Sequence, residues 1–337
     1  MNEPDTTALS KAAPEYKDRS GALVVFGVIT IVLGVFSGTM APLFLLAQLA
    51  NAHNPNASAS SLSMLLPALL MYVGLAVVLI WLGIGSLKAR RWARALMLIF
   101  AWSWLVMGVA GIAFMVVFIP KMMANIDMPA GQQPLPQAAI VAVTIVTCAI
   151  MSFMFILIPA VWIFFYGSRH VKATCEAKDP TPRWTDACPL PVLAVSVWLW
   201  LAAPMSLLMP VIYHGVAPFF GVFISGVAGG LFYLLLGAIW AWSGWRFYRM
   251  DGRAWWVVLL AIILFLVSNV LTYTHQDILE MYQLMGYPEA QIEQIQKSGF
   301  ATGNYMAWLT GISVLPFLGY LLFVKRYLRT DSPSPLK

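Results

Sequence analysis

The chain has 337 residues, of which 61% are hydrophobic and only 10% charged, with a formal net charge of +6. A soluble domain averages near half apolar and about a quarter charged, so water is not the main solvent of this chain. Its basic residues are spread over several short segments instead of forming one face, which fits contact with anionic lipid headgroups and makes nucleic-acid binding a poor second.

The first twenty residues are polar and of mixed charge, without a short apolar run and small-residue cleavage site, so no removable signal peptide is expected. A bilayer core about 30 Å thick takes roughly 20 apolar residues per helix. Eight stretches meet that length, at about 22 to 50, 62 to 87, 95 to 119, 138 to 166, 190 to 213, 219 to 245, 255 to 274 and 302 to 324. The 20 basic and 14 acidic residues all lie outside them. The expected fold class is therefore all-α, a polytopic membrane protein with eight transmembrane helices.

The gaps between spans differ in charge. The N-tail holds three Lys and Arg, and the gap after span two holds Lys88, Arg90, Arg91 and Arg94. Four more fall between Arg169 and Arg183, three at Arg246, Arg249 and Arg253, and four in the C-tail. The remaining gaps have only Lys121 and Lys297. Basic residues concentrate on the cytoplasmic side of membrane proteins, so these turns set the topology and both termini are expected in the cytoplasm.

Laying the second half on the first brings landmarks into register: Pro42 with Pro210, Arg91 with Arg253, Pro129 with Pro288 and Pro159 with Pro316. Two four-helix repeats are expected, 22–166 and 190–328, joined by a cytoplasmic linker at 167–189 and flanked by polar tails at 1–21 and 329–337. Each unit has an even number of spans, so the repeats should be parallel, related by an axis along the membrane normal. Gly34 with Gly38, and Gly226 with Gly230, are spaced for close helix approach. Asn269 and Thr272 lie inside span seven, where interhelical hydrogen bonds are expected for them.

The linker is the most distinctive segment. Between His170 and Cys188 it carries two Cys, one His and two Asp. Imidazole, thiolate and carboxylate are the ligand types zinc takes, so His170, Cys175, Asp179, Asp186 and Cys188 are the candidate metal ligands. The spacing lacks any C-x-x-C pair, and the favoured reading is a connector stiffened by Pro180 and Pro182, with Arg183 paired to Asp179 or Asp186. No other cofactor is expected.

The last outer loop carries a segment with Pro288 at its start and Gly299 at its end, the pattern of a short helix. Ile292 and Ile295 share one face, and Glu289, Glu293 and Lys297 the rest. An amphipathic helix of this kind lies on the membrane surface or caps the bundle.

The string C-E-x-x-D-P-x-P-R-W-T-D-x-C-P-L-P-V-L-A, running from Cys175 to Ala194, resembles uncharacterised bacterial integral membrane proteins. The resemblance implies the bacterial inner membrane and assigns no residue a role. No Walker A, G-x-G-x-x-G, H-E-x-x-H or G-x-S-x-G string occurs, and the spans hold no charged side chain, so an enzyme is not expected. The expectation is a non-enzymatic membrane protein, acting as a scaffold, an accessory subunit or a binder of a lipid or membrane-protein partner. The alternatives are a carrier of a neutral or lipophilic molecule between the repeats, and a metal- or redox-responsive protein using the linker. Oligomeric state stays open at this level.

Overall fold

The structure is a computed structural model that describes residues 16–52, 62–124, 136–297 and 303–328. Eight of its helices are long and apolar enough to cross a membrane. The first half has α1 (Ser20–Ala52), α2 (Leu62–Leu87) and α3 (Arg91–Ala124). Its fourth span runs from α4 (Gln137–Ser152) through a π-helical turn, Phe153–Leu157, into α5 (Ile158–Gly167). A short helix, α6 (Arg169–Lys178), then leads to the second half, with spans α7 (Leu190–Ile212), α8 (Gly226–Tyr248), α9 (Arg253–His275) and α12 (Gly303–Lys325). Between α9 and α12 lie α10 (Ile278–Leu284) and α11 (Glu289–Lys297). The tails at 1–15 and 329–337 and the loop around Pro129 fall outside the described residues.

The spans pair alike in both halves: first against second, third against fourth. Small residues let the first pair approach. A Cβ on Gly27 would sit 2.9 Å from the Gly83 carbonyl oxygen, and one on Gly83 would sit 2.8 Å from that of Gly27. Gly34 and Gly38 pack on Ala76 as their spacing predicts, but Gly226 and Gly230 face open space. In the second half the close approach is made by Gly237 against Ala203 and by Gly244 against Trp200 and Ser196. Spacing alone does not say which face of a helix meets a neighbour, so that second pair was misplaced.

The sixth span starts at Gly226, not at 219. The apolar run before it is a hairpin of β1 (Ala217–Phe219) and β2 (Val222–Ile224), turning at Phe220 and Gly221, whose φ values are 42° and 99°. Positive φ at both central residues is the type I′ geometry that matches strand twist. α9 and the residue that follows it supply the partners for this turn: Phe220 N donates to Ser268 Oγ and Gly221 N to Thr272 Oγ1, while Gln276 Nε2 donates to Gly221 O. Thr272 thus serves a hairpin backbone and not another helix, and Asn269 bonds back to Phe265 O within α9.

Burial is concentrated at the end carrying the basic turns. Along α3 most residues from Ala93 to Ala101 are buried, whereas Trp102 just beyond is 53% exposed. One apolar cluster gathers Leu23, Leu82, Met97, Tyr166, Leu193 and Ala194, and a second gathers Val192, Val195, Phe247, Trp255 and Leu321. The first turns of α7 contribute to both, which makes α7 the seam between the halves. Farther along it, Trp198 Nε1 donates to Ser103 Oγ of α3 at 2.9 Å.

The two basic turns are built alike. Ala89 and Met250 adopt φ of 48° and 61°. Around them, Ala89 N donates to Ser86 O and Arg90 N to Gly85 O, as Met250 N does to Phe247 O and Asp251 N to Arg246 O. Both are Schellman motifs with a side chain at the position usually held by glycine. The helix ends are tied alike too. Arg94 Nε donates to Tyr166 O and Trp255 Nε1 to Leu321 O, each joining the start of a third span to the end of a fourth. Tyr320 OH donates to Pro191 O at the start of α7, and Tyr166 OH reaches Leu23 O of α1 through Ser86 Oγ.

Candidate functional site

The first basic turn has four cations, Lys88, Arg90, Arg91 and Arg94, and no acid of its own. Both its charge and the free backbone N–H groups at the start of α3 call for acceptors from elsewhere. The linker provides them. It is not a plain loop: Ser168 caps α6 by accepting from His170 N, and the helix ends before Pro180. Asp179 follows directly, with its side chain 1% exposed.

Asp179 is the hub. Its carboxylate accepts from Arg183 Nη2 at 2.6 Å and Nε at 3.1 Å, from Arg90 Nη1 at 3.3 Å and from the Arg91 backbone N–H at 3.3 Å. The Arg183 guanidinium beside it holds this carboxyl below the usual Asp value, helped by the Arg91 N–H and the charge of Arg90. Arg91 in turn reaches Asp186 at 3.1 Å and Glu176 at 3.7 Å. Asp186 also accepts from Arg183 N, fixing the turn that starts the 3₁₀ segment Trp184–Asp186. All three linker acids therefore clasp the first basic turn.

Other ties fasten the linker on either side. Lys17 N donates to His170 Nδ1 and Arg19 N to Thr174 Oγ1, docking the chain before α1. From the second half, Tyr248 OH donates to Trp184 O. The second basic turn uses no linker acid. Asp251 lies within it, pairing with Arg246 at 3.0 Å and accepting from Arg253 N. Cations at this end of the second half lie over aromatic rings: Arg249 over Trp245, Arg246 over Trp242 and Lys325 over Trp255.

The five candidate metal ligands are not gathered. Cys175 and Cys188 are buried in one apolar cluster, and burial pushes both thiols up to about 11. A thiol so raised is protonated at neutral pH and is a weak nucleophile. Asp179 and Asp186 hold arginines, and His170 accepts from the N-tail. Among the described residues, no three His, Cys, Asp or Glu side chains come together as a metal group.

Away from the basic end, α11 has the amphipathic character its sequence predicts. Ile292 is buried and Ile295 half-buried, while Glu289 and Glu293 are exposed. The side chain of Lys297 lies outside the described residues. Asp277 caps the preceding α10 by accepting from Leu279 N at 3.0 Å.

No protein-family model matches the chain, and no curated protein or solved structure matches it. Fold and site together define a class: a helical protein with eight candidate membrane spans, fastened at one end by a charged linker.

Proposed function

We propose that this is a multi-pass protein of the bacterial inner membrane, with both termini cytoplasmic, that acts without catalysis as a scaffold or accessory subunit holding a lipid or a membrane-protein partner. The observation that carries this reading is the fourth span. From residue 137 to residue 158 only Thr144 is buried inside the chain, and Ile145 and Phe153 are 63% and 58% exposed. This leaves much of that helix open to a membrane neighbour, while the three acids of the linker are engaged in holding the fold. A photo-crosslinker placed at Ile145 or Phe153 in cells should give one discrete adduct. Diffuse adducts with bulk lipid, and no species copurifying in mild detergent, would count against it.

The halves read as copies of one four-span unit, arranged in parallel. The matched Schellman turns at Ala89 and Met250 support this, as do the ties from third span to fourth and from fourth span to first. A carrier of a neutral molecule between the halves is the second reading. It is favoured by the concentration of the core at the basic end, which leaves much of the spans beyond it loosely packed.

A further inference from the structure

Where the fourth span meets α6, the basic end bears a surface groove of about 420 Å³, lined by Arg19, Val161, Phe164, Phe165, Ser168 and Val171. Its wall is apolar on one side and polar on another. Val161, Phe164 and Phe165 belong to the last turns of the fourth span, whereas Ser168 caps α6 and Arg19 stands just before α1. Phe164 is 80% exposed, so the groove opens sideways, where acyl chains would lie.

Arg19 is held at the rim. It is half-buried, its backbone N–H donates to Thr174 Oγ1 at 3.1 Å, and it makes no ion pair among the described residues. The one described acid beside it in sequence, Asp18, is engaged by Ser20 N and Ser20 Oγ. The exposed Lys17 and Arg169 add positive charge nearby. A guanidinium above an apolar trough matches a phosphate above an acyl chain, because Arg forms charge-assisted, often bidentate hydrogen bonds with phosphate oxygens. A zwitterionic headgroup would instead bring its own cation among these basic residues.

We propose that this groove binds one anionic phospholipid, its phosphate at Arg19 and Ser168 and an acyl chain along Val161, Phe164 and Phe165. The site rests on the reading of the chain as a membrane-embedded binder and gives that reading a lipid class.

The test is native mass spectrometry of the full chain in detergent, titrated with phosphatidylglycerol and with phosphatidylcholine. Phosphatidylglycerol should bind about fivefold tighter, and Arg19→Gln should remove about that factor while leaving phosphatidylcholine unchanged. Phe164→Ala, at an exposed position, should weaken both lipids by about twofold to threefold, and Arg249→Gln should behave as the parent. Equal binding of the two lipids, or an unaltered Arg19→Gln, overturns the site. So does displacement by glycerol phosphate, which would assign the groove to a soluble phosphate. Discrete crosslinks at Ile145 without selective lipid binding would remove the groove and leave the partner reading standing. Loss of both removes the binder reading itself.

Discussion

Asp179 joins its own linker, through Arg183, to the distant first basic turn, through Arg90 and the Arg91 backbone. Asp179→Asn keeps the shape but turns an amide donor toward two guanidinium groups. Breaking a buried pair costs about 3 to 5 kcal/mol, and the 40% and 37% exposure of Arg90 and Arg183 reduces this to roughly 2 kcal/mol. Denaturation in detergent micelles should show that loss at neutral pH. The pH dependence has a definite sign. The folded carboxyl titrates below its unfolded value of about 3.9, so its contribution is fully present above that range and fades as pH falls through the lower folded value. Parent and Asn variant should therefore converge in stability on acidification below about pH 4.

At the scale of elements, the paired turns separate backbone conformation from side-chain packing. Ala89 and Met250 both occupy the left-handed region, which costs a non-glycine residue on the order of 1 kcal/mol. Ala89 has only a methyl to lose, so Ala89→Gly should be neutral or stabilise by up to about 1 kcal/mol. Met250 packs against both apolar clusters, so Met250→Gly should destabilise by about 1 to 3 kcal/mol despite the same relief of strain. Melting temperatures of the two variants in one detergent check the opposite signs. The sequence made such elements legible to different degrees. A bilayer sets the length of an apolar run, so most span ends were readable, but Phe219 to Ile224 reads alike as helix or strand until the Phe220-Gly221 turn is seen. The polar helix α6 was missed, although Ser168 before it and Pro180 after it are its start and stop signals. An ion pair of Arg183 with Asp179 or Asp186 was legible, though not that Asp179 takes the guanidinium while Asp186 takes the Arg183 backbone N–H. Their reach to Arg90 and Arg91 was not, because sequence spacing carries no information across 88 residues.

For the whole molecule, the basic turns do two jobs that pull on the same residues. Lys88, Arg90, Arg91 and Arg94 are the charges expected to orient the chain, and two of them are also neutralised by linker acids that hold the fold. Where helices insert before they pack against one another, such a clasp forms after the topology is set, and neutralisation in the folded state leaves the orienting signal intact. It follows that the linker and the α10–α11 segment should sit on opposite sides of the membrane. In a variant with Cys148, Cys175 and Cys188 replaced, Ala177→Cys in α6 and Gln283→Cys in α10 are exposed reporters. A membrane-impermeant thiol reagent should label Cys at 283 in intact spheroplasts and Cys at 177 only in inverted vesicles. Labelling of both from one side would contradict three membrane crossings, by α7, α8 and α9, between them. The reverse pattern would mean that the basic end faces outward, and with it the groove at Arg19.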